Sequence, residues 1–209
     1  LAPRKVYVVI GHQGEDVKKA VLEELDEEHA EFVWQKEQLG TGDAVNSARE
    51  FLEDADSTLI VLSGDVPMIR KETLVSLVQQ HQSHRGKGAA CTILTVKPDD
   101  PKSYGRIVRD AEGFFDRIVE QKDATEEEQK INEINSGIYC FETRKLFEAL
   151  SRVQNNNAQG EYYLTDVPAL LRSGGEYVSL YHHHEAREVS GINDRVDLAD
   201  LERLLSLRT

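Results

Sequence analysis

The sequence predicts an α/β domain built on a doubly wound, mostly parallel sheet, and three observations carry that expectation. Short apolar runs rich in β-branched residues recur along the first half of the chain, at 6–10, 31–34, 57–62 and 89–96, as buried strands do. Between them lie amphipathic stretches of helical period, at 15–25, 41–52 and 73–81. Alternation at this spacing marks strand–helix–strand units, whose crossovers set parallel strands side by side.

Each element has a local reason. Val6-Tyr7-Val8-Val9-Ile10 is a β-branched run that stops at Gly11, and the helix expected over 15–25 follows at once. The helix over 41–52 puts Ala44, Ala48, Phe51 and Leu52 on one face, with Thr41 placed to cap it. Residues 57–62 are continuously apolar, as expected of a parallel strand buried on both faces, and the run ends at Ser63-Gly64-Asp65. After Val96 the pattern changes. Runs at 104–108 and 114–119 flank Asp110-Ala111-Glu112-Gly113 and predict a hairpin, and the charged stretch 123–130 reads as an exposed helix or loop. A strand over 133–141, helices over 143–150 and 164–173, a strand over 177–181 and a closing helix over 195–207 complete the reading. No linker or internal repeat divides the chain, so residues 1–209 are expected to form one domain.

Composition narrows the function. With 209 residues, 39% hydrophobic and 30% charged, the chain is an ordinary globular one that can bury a sizeable core. A net charge of −13 repels polyphosphate backbones, so no nucleic-acid partner is expected. A small phosphorylated substrate stays admissible where cations screen it. No apolar run is long enough to span a bilayer and the first residues lack a secretion-signal plan, which predicts a cytoplasmic protein without a membrane partner. The chain opens on Leu1 rather than Met, so the natural N-terminus is expected further upstream. Cys91 and Cys140 lie in apolar runs and read as buried, reduced thiols. His182, His183 and His184 are consecutive in a strand and alternate faces, so they cannot converge on one zinc ion.

Several segments carry chemistry. Asp65 follows a strand at its carboxyl end, where open α/β sheets bind ligands; a lone carboxylate there suits Mg²⁺, with capping of the next turn as the alternative. Gly64 lets the backbone approach a ligand. Gly40-Thr41-Gly42 opens a helix with free N–H groups that can meet a base edge or a phosphate, and Gln35 and Gln38 each bring an amide. Gly105, Arg106, Glu120, Lys122 and Asn135 stand at strand ends that can converge on one cleft. There Glu120 and Asn135 suit sugar hydroxyls, while Lys122 and Arg106 suit phosphate. The run Asn155-Asn156-Asn157-Ala158-Gln159 reads as an ordered polar loop or a solvated connector, and Asn193 in the loop before the last helix can add a metal oxygen.

Taken in this order, these segments resemble the uridylyltransferase domain of the bacterial N-acetylglucosamine-1-phosphate uridylyltransferases. The resemblance is densest over 35–44, 62–69, 104–106, 118–125, 133–138, 155–166 and 188–195. It implies a Rossmann-like nucleotide-diphospho-sugar transferase (GT-A-like) fold and the joining of UTP to N-acetylglucosamine-1-phosphate, giving UDP-N-acetylglucosamine for cell-wall peptidoglycan and lipopolysaccharide. It further implies that Gln35, Gly40 and Thr41 read uracil and that Asp65 and Asn193 hold a catalytic Mg²⁺. Gly64 lies against the substrate, Gly105, Glu120 and Asn135 contact the N-acetylglucosamine moiety, and Lys122 lies near sugar or phosphate. The attacking phosphate oxygen is already ionised, so positioning and charge neutralisation suffice without a general base.

Two departures stand out. The family's opening strand with its glycine-rich, triphosphate-holding loop has no counterpart in this sequence, and neither has the acetyltransferase β-helix that follows in full-length members. The expectation is an N-terminally truncated domain with impaired turnover and no acetyltransferase activity, from a parent that oligomerises through its C-terminal part. Another sugar-1-phosphate nucleotidyltransferase and a non-catalytic nucleotide-sugar-binding scaffold remain open as alternatives.

Overall fold

The computed structural model describes residues 1–83 and 88–192, together with Arg195, Ala199 and Arg203. The first half runs β1 (Val6–Ile10), α1 (Gly14–Leu22), β2 (Ala30–Trp34), α2 (Thr41–Asn46), α3 (Arg49–Leu52), β3 (Thr58–Val61), α4 (Lys71–Ser83) and β4 (Cys91–Val96). The second runs β5 (Arg106–Arg109), β6 (Phe115–Val119), α5 (Glu126–Gln129), β7 (Ile134–Glu142), α6 (Thr143–Leu150), α7 (Val167–Ser173) and β8 (Val178–His182).

β7 organises the larger sheet. Its residues Tyr139 to Phe141 pair antiparallel with both β3 and β4, which must therefore lie on its opposite edges. β5 joins β7 at Ile134 and carries β6 beside it in the predicted hairpin, while β8 adds to β4 in parallel. β1 and β2 form a separate parallel pair. The α/β class stands, and the sheet is mixed: β7 runs against every strand it meets, leaving β1–β2 and β4–β8 as the parallel pairs.

β7 alternates between two apolar layers, as side chains on a strand must. Tyr139 and Phe141 enter the layer containing Leu146, Phe147, Val167 and Leu171. Ile138 and Cys140 enter the other, with Leu77, Leu94, Val96 and Val189. Cys91 and Cys140 are buried free thiols, and burial pushes Cys140 up to about 12.

Four elements differ from the expectation. The helix expected over 41–52 breaks into α2 and α3 at Ser47 and Ala48, where the Ser47 hydroxyl donates to the Asp43 carbonyl at 3.0 Å, a bond that weakens a helix from within. α1 stops at Leu22, because the acidic run Glu23, Glu24, Asp26, Glu27, Glu28 opposes the negative end of the helix dipole. The helix expected over 164–173 begins as a 3₁₀ turn, Leu164–Asp166, since Pro168 has no N–H to return to the Leu164 carbonyl. Among the described residues β3 has no parallel neighbour and is not buried on both faces; it pairs antiparallel with β7 and ranges from half-buried to exposed. Apart from Arg195, Ala199 and Arg203, the closing helix expected over 195–207 lies outside the described residues.

Candidate functional site

The apolar run of β3 reaches Val61, and the chain then turns through Ser63-Gly64-Asp65 into an open cleft of about 850 Å³ between β1 and β3. Among the described residues β1 pairs only with β2 and β3 only with β7, so each turns a strand edge toward this space. The structure brings Gln35, Thr41, Gly64, Asp65, Gly105, Glu120 and Asn135 to its walls.

Asp65 is exposed, and its carboxylate has no ion pair or hydrogen bond among the described residues. It therefore does not cap the turn that follows; that turn is closed by the backbone bond from Val66 to the Ser63 carbonyl at 3.4 Å. The Asp65 carbonyl accepts from Ile192 N–H at 2.9 Å. A Cβ added at Gly64 would meet nothing within 4 Å among the described residues, and Gly64 lines the cleft. An unpaired hard oxygen donor facing open space fits a hydrated divalent cation, which takes one or two protein oxygens and fills its remaining positions from water and phosphate. Asn193 lies outside the described residues.

On the wall formed by the loop joining β2 to α2, Gln35 Nε2 donates to the Gly40 carbonyl at 3.3 Å and to Asp43 Oδ2 at 2.8 Å. Both amide hydrogens are thus engaged, which leaves Oε1 as the group to offer a base. The glycines serve a close approach between loops. Gly42 N–H donates to the Tyr162 carbonyl at 2.7 Å, and Tyr162 N–H donates to the Leu39 carbonyl at 2.7 Å. A Cβ on Gly40, which sits at φ +110°, would fall 2.7 Å from that Tyr162 oxygen. The sequence reading of free N–H groups at this turn is therefore corrected at Gly42. Thr41 does not cap α2 either: its hydroxyl accepts from Leu164 N–H at 3.1 Å. Gly40 stands behind the wall rather than on it.

On the opposite wall, Asn135 N–H donates to the Gly105 carbonyl at 2.9 Å, which fixes the two predicted sugar contacts side by side. The Asn135 amide donates to the Tyr139 hydroxyl at 2.7 Å and accepts from Gly137 N–H at 3.2 Å, and each end keeps one further bonding position. Glu120 accepts from the Thr165 hydroxyl at 3.0 Å, and a Cβ on Gly105 would lie 3.5 Å from its other oxygen. Burial pushes the Glu120 carboxyl up, the Thr165 bond opposes this, and the charges of Asp123 and Asp166 add to the rise. Asp166 is raised by burial and then by Asp123.

Two predicted phosphate ligands are placed elsewhere. Lys122 does not line the cleft; its ammonium donates to Gln159 Oε1, while Asp123 accepts from Ala158 N–H at 2.9 Å, so this pair orders the amide-rich loop. Arg106 is 3% exposed and donates to the carbonyls of Tyr104 and Lys102, turned away from the cleft. Tyr139 and Thr165, which hold Asn135 and Glu120, were not singled out from the sequence, because nothing local shows which distant side chain their hydroxyls meet.

The sequence matches the nucleotidyl transferase family over residues 2–185. It is 45% identical over 208 residues to the bifunctional protein GlmU of a Geobacillus species, covering 100% of this chain and 44% of that protein. The bifunctional proteins GlmU of Enterococcus faecalis and Streptococcus mutans are 43% and 45% identical, each over 206 residues, 99% of this chain and 43% of theirs. The chain thus spans less than half the length of these curated relatives. In fold it is similar to the crystal structure of UDP-glucose pyrophosphorylase complexed with UDP-glucose, with a TM-score of 0.57 at 20% identity over 84% of this chain and 72% of that one. On the strength of that match over almost its whole length, the chain belongs to the nucleotidyl transferase family.

Proposed function

We propose that the cleft transfers UMP from UTP to N-acetylglucosamine-1-phosphate, releasing pyrophosphate and UDP-N-acetylglucosamine, as the uridylyltransferase unit of a GlmU-type protein. The observation that carries this reading is the convergence on one cleft of an unpaired carboxylate, Asp65, an acceptor-only amide, Gln35, and the trio Gly105, Glu120 and Asn135, in a chain 45% identical to GlmU.

The residue types suit the reaction. Uracil carries an imide N–H, and Gln35 Oε1 accepts it; cytosine has a lone pair at that position and is turned away. Asn135 and Glu120 bond the sugar hydroxyls and acetamido group, while the buried Gly105 keeps the wall close. Gly40 and Lys122 act one layer back, holding the loops that carry these contacts, and Thr41 stands on the wall beside Gln35. Gly64 leaves room for the phosphates.

The nucleophile is an ionised phosphate oxygen, so the cleft must orient two anions and needs no base. Asp65, with Asn193 as the second oxygen, would hold Mg²⁺, which when bound neutralises phosphate charge. The pair adds one negative charge, so the cation stays net positive toward its substrates. Cytoplasmic location belongs to the same reading, as does assembly of the parent through parts outside this chain. Among the described residues no helix is long and apolar enough to cross a membrane.

Calorimetric titration in Mg²⁺ tests the specificity. UDP-N-acetylglucosamine should bind about tenfold or more tightly than UDP-glucose or ADP-glucose, the worth of one well-made hydrogen bond. Equal affinity for all three would defeat the assignment.

A further inference from the structure

We propose that Glu188 is a positioning residue that fixes Asp65 in place by pinning the 188–192 loop to both ends of the segment connecting β3 to α4. Glu188 is 2% exposed, a placement that is costly for a carboxylate unless it is well partnered. Its partners lie at the start of α4. Thr73 Oγ1 donates to Oε2 at 2.6 Å, and Arg70 Nε lies 3.3 Å from Oε1. His183 Nε2 approaches Oε1 at 3.4 Å. A carboxylate at this end of a 13-residue helix also meets the positive end of its dipole. Burial alone would push Glu188 up, but the Thr73 bond and the nearby His183 and Arg70 outweigh it and hold its carboxyl below the usual carboxylate range.

The same short loop reaches the other end of the connection. Val189 is buried with Val66 and Leu77, Gly191 N–H donates to the Tyr104 hydroxyl at 3.1 Å, and Ile192 N–H donates to the Asp65 carbonyl at 2.9 Å. Residues 65 to 73 are thus stapled at their far end by Glu188 and at their near end by Ile192. A loop that only covered the core would need Val189 and no buried charge. The charge is explained by what it holds still: the chain on either side of Asp65. The inference rests on the proposed function only for Asp65 being the metal ligand.

The test combines hydrogen exchange with Mn²⁺ titration on the 209-residue chain, comparing wild type, Glu188→Gln, Glu188→Asp and Asp65→Asn. In Glu188→Gln the Gly191 and Ile192 amides should exchange about tenfold or more faster, the loss expected from a charge-assisted bond. Mn²⁺ should bind correspondingly more weakly, β4 and β7 amides should stay as protected as in wild type, and Glu188→Asp should recover part of both effects. Unchanged exchange at 191–192 would overturn the proposal, and so would an equal rise across β4 and β7, which marks a merely structural role. Unaltered Mn²⁺ affinity in Glu188→Gln, with binding abolished by Asp65→Asn, would also overturn it. Should Asp65→Asn bind Mn²⁺ as well as wild type, the metal assignment falls, while the exchange data still decide the role of Glu188.

Discussion

Gln35 shows how a fold decides what an amide can recognise. With its two hydrogens on Gly40 and Asp43, it presents an acceptor. Gln35→Ala should weaken UTP binding about tenfold while leaving N-acetylglucosamine-1-phosphate binding unchanged, as read by titration of each substrate; equal losses would remove Gln35 from base recognition. Glu120 gives a pH signature. Its carboxyl lies above the usual 4.5, so the folded state holds the proton more tightly than the unfolded state. Stability linked to it is present at pH below the unfolded value and is lost as pH rises through the folded one. Glu120→Gln should therefore raise the melting temperature at pH 8 and leave it nearly unchanged at pH 4, measured by thermal denaturation. At this scale the place of Asp65 beside a cleft was legible from a strand that ends in Ser-Gly-Asp, although the buried, parallel strand that the reading assumed is antiparallel and only part-buried. Arg106 was not. Sequence gives a residue's type and its strand, whereas register and local carbonyls decided that this guanidinium turns inward to Lys102 and Tyr104.

Among the elements, the loop joining β2 to α2 is set by two glycines packed on Tyr162. Gly40→Ala combines a left-handed φ with a 2.7 Å clash against a backbone oxygen and should cost about 1–3 kcal/mol in a denaturant melt. Gly64→Ala faces open space and should change stability by no more than about 0.5 kcal/mol while weakening nucleotide binding. If the two variants proved alike in stability, the distinction drawn between a packing glycine and a cleft glycine would be lost. Strands and helices with strong period were legible within a few residues, β4 and α6 above all. Boundaries failed where local bonds overrode the pattern: Ser47 closing on Asp43 split a helix, and Pro168 forced a 3₁₀ turn. The direction of β3 was not legible, since an apolar run does not say which neighbour it will meet or from which side.

In the whole molecule, a central strand with an apolar layer on each face supports a cleft bounded by two strand edges. Unpaired edges invite intermolecular pairing, and Leu62, 48% exposed at the end of β3, adds apolar surface there. Leu62→Lys should lower light scattering on warming without lowering the melting temperature; unchanged scattering would place the self-associating surface elsewhere. The α/β class was readable from alternation alone, whereas the mixed pairing around β7 depends on long-range contacts that no local pattern encodes. The central claim is that this cleft, organised at Asp65, performs uridylyl transfer. Pyrophosphate release from UTP and N-acetylglucosamine-1-phosphate in Mg²⁺, compared between the parent protein and its Asp65→Ala variant, tests it most directly. The account predicts release matched by UDP-N-acetylglucosamine and reduced about a hundredfold or more in a folded Asp65→Ala chain; equal release by the two proteins would contradict it.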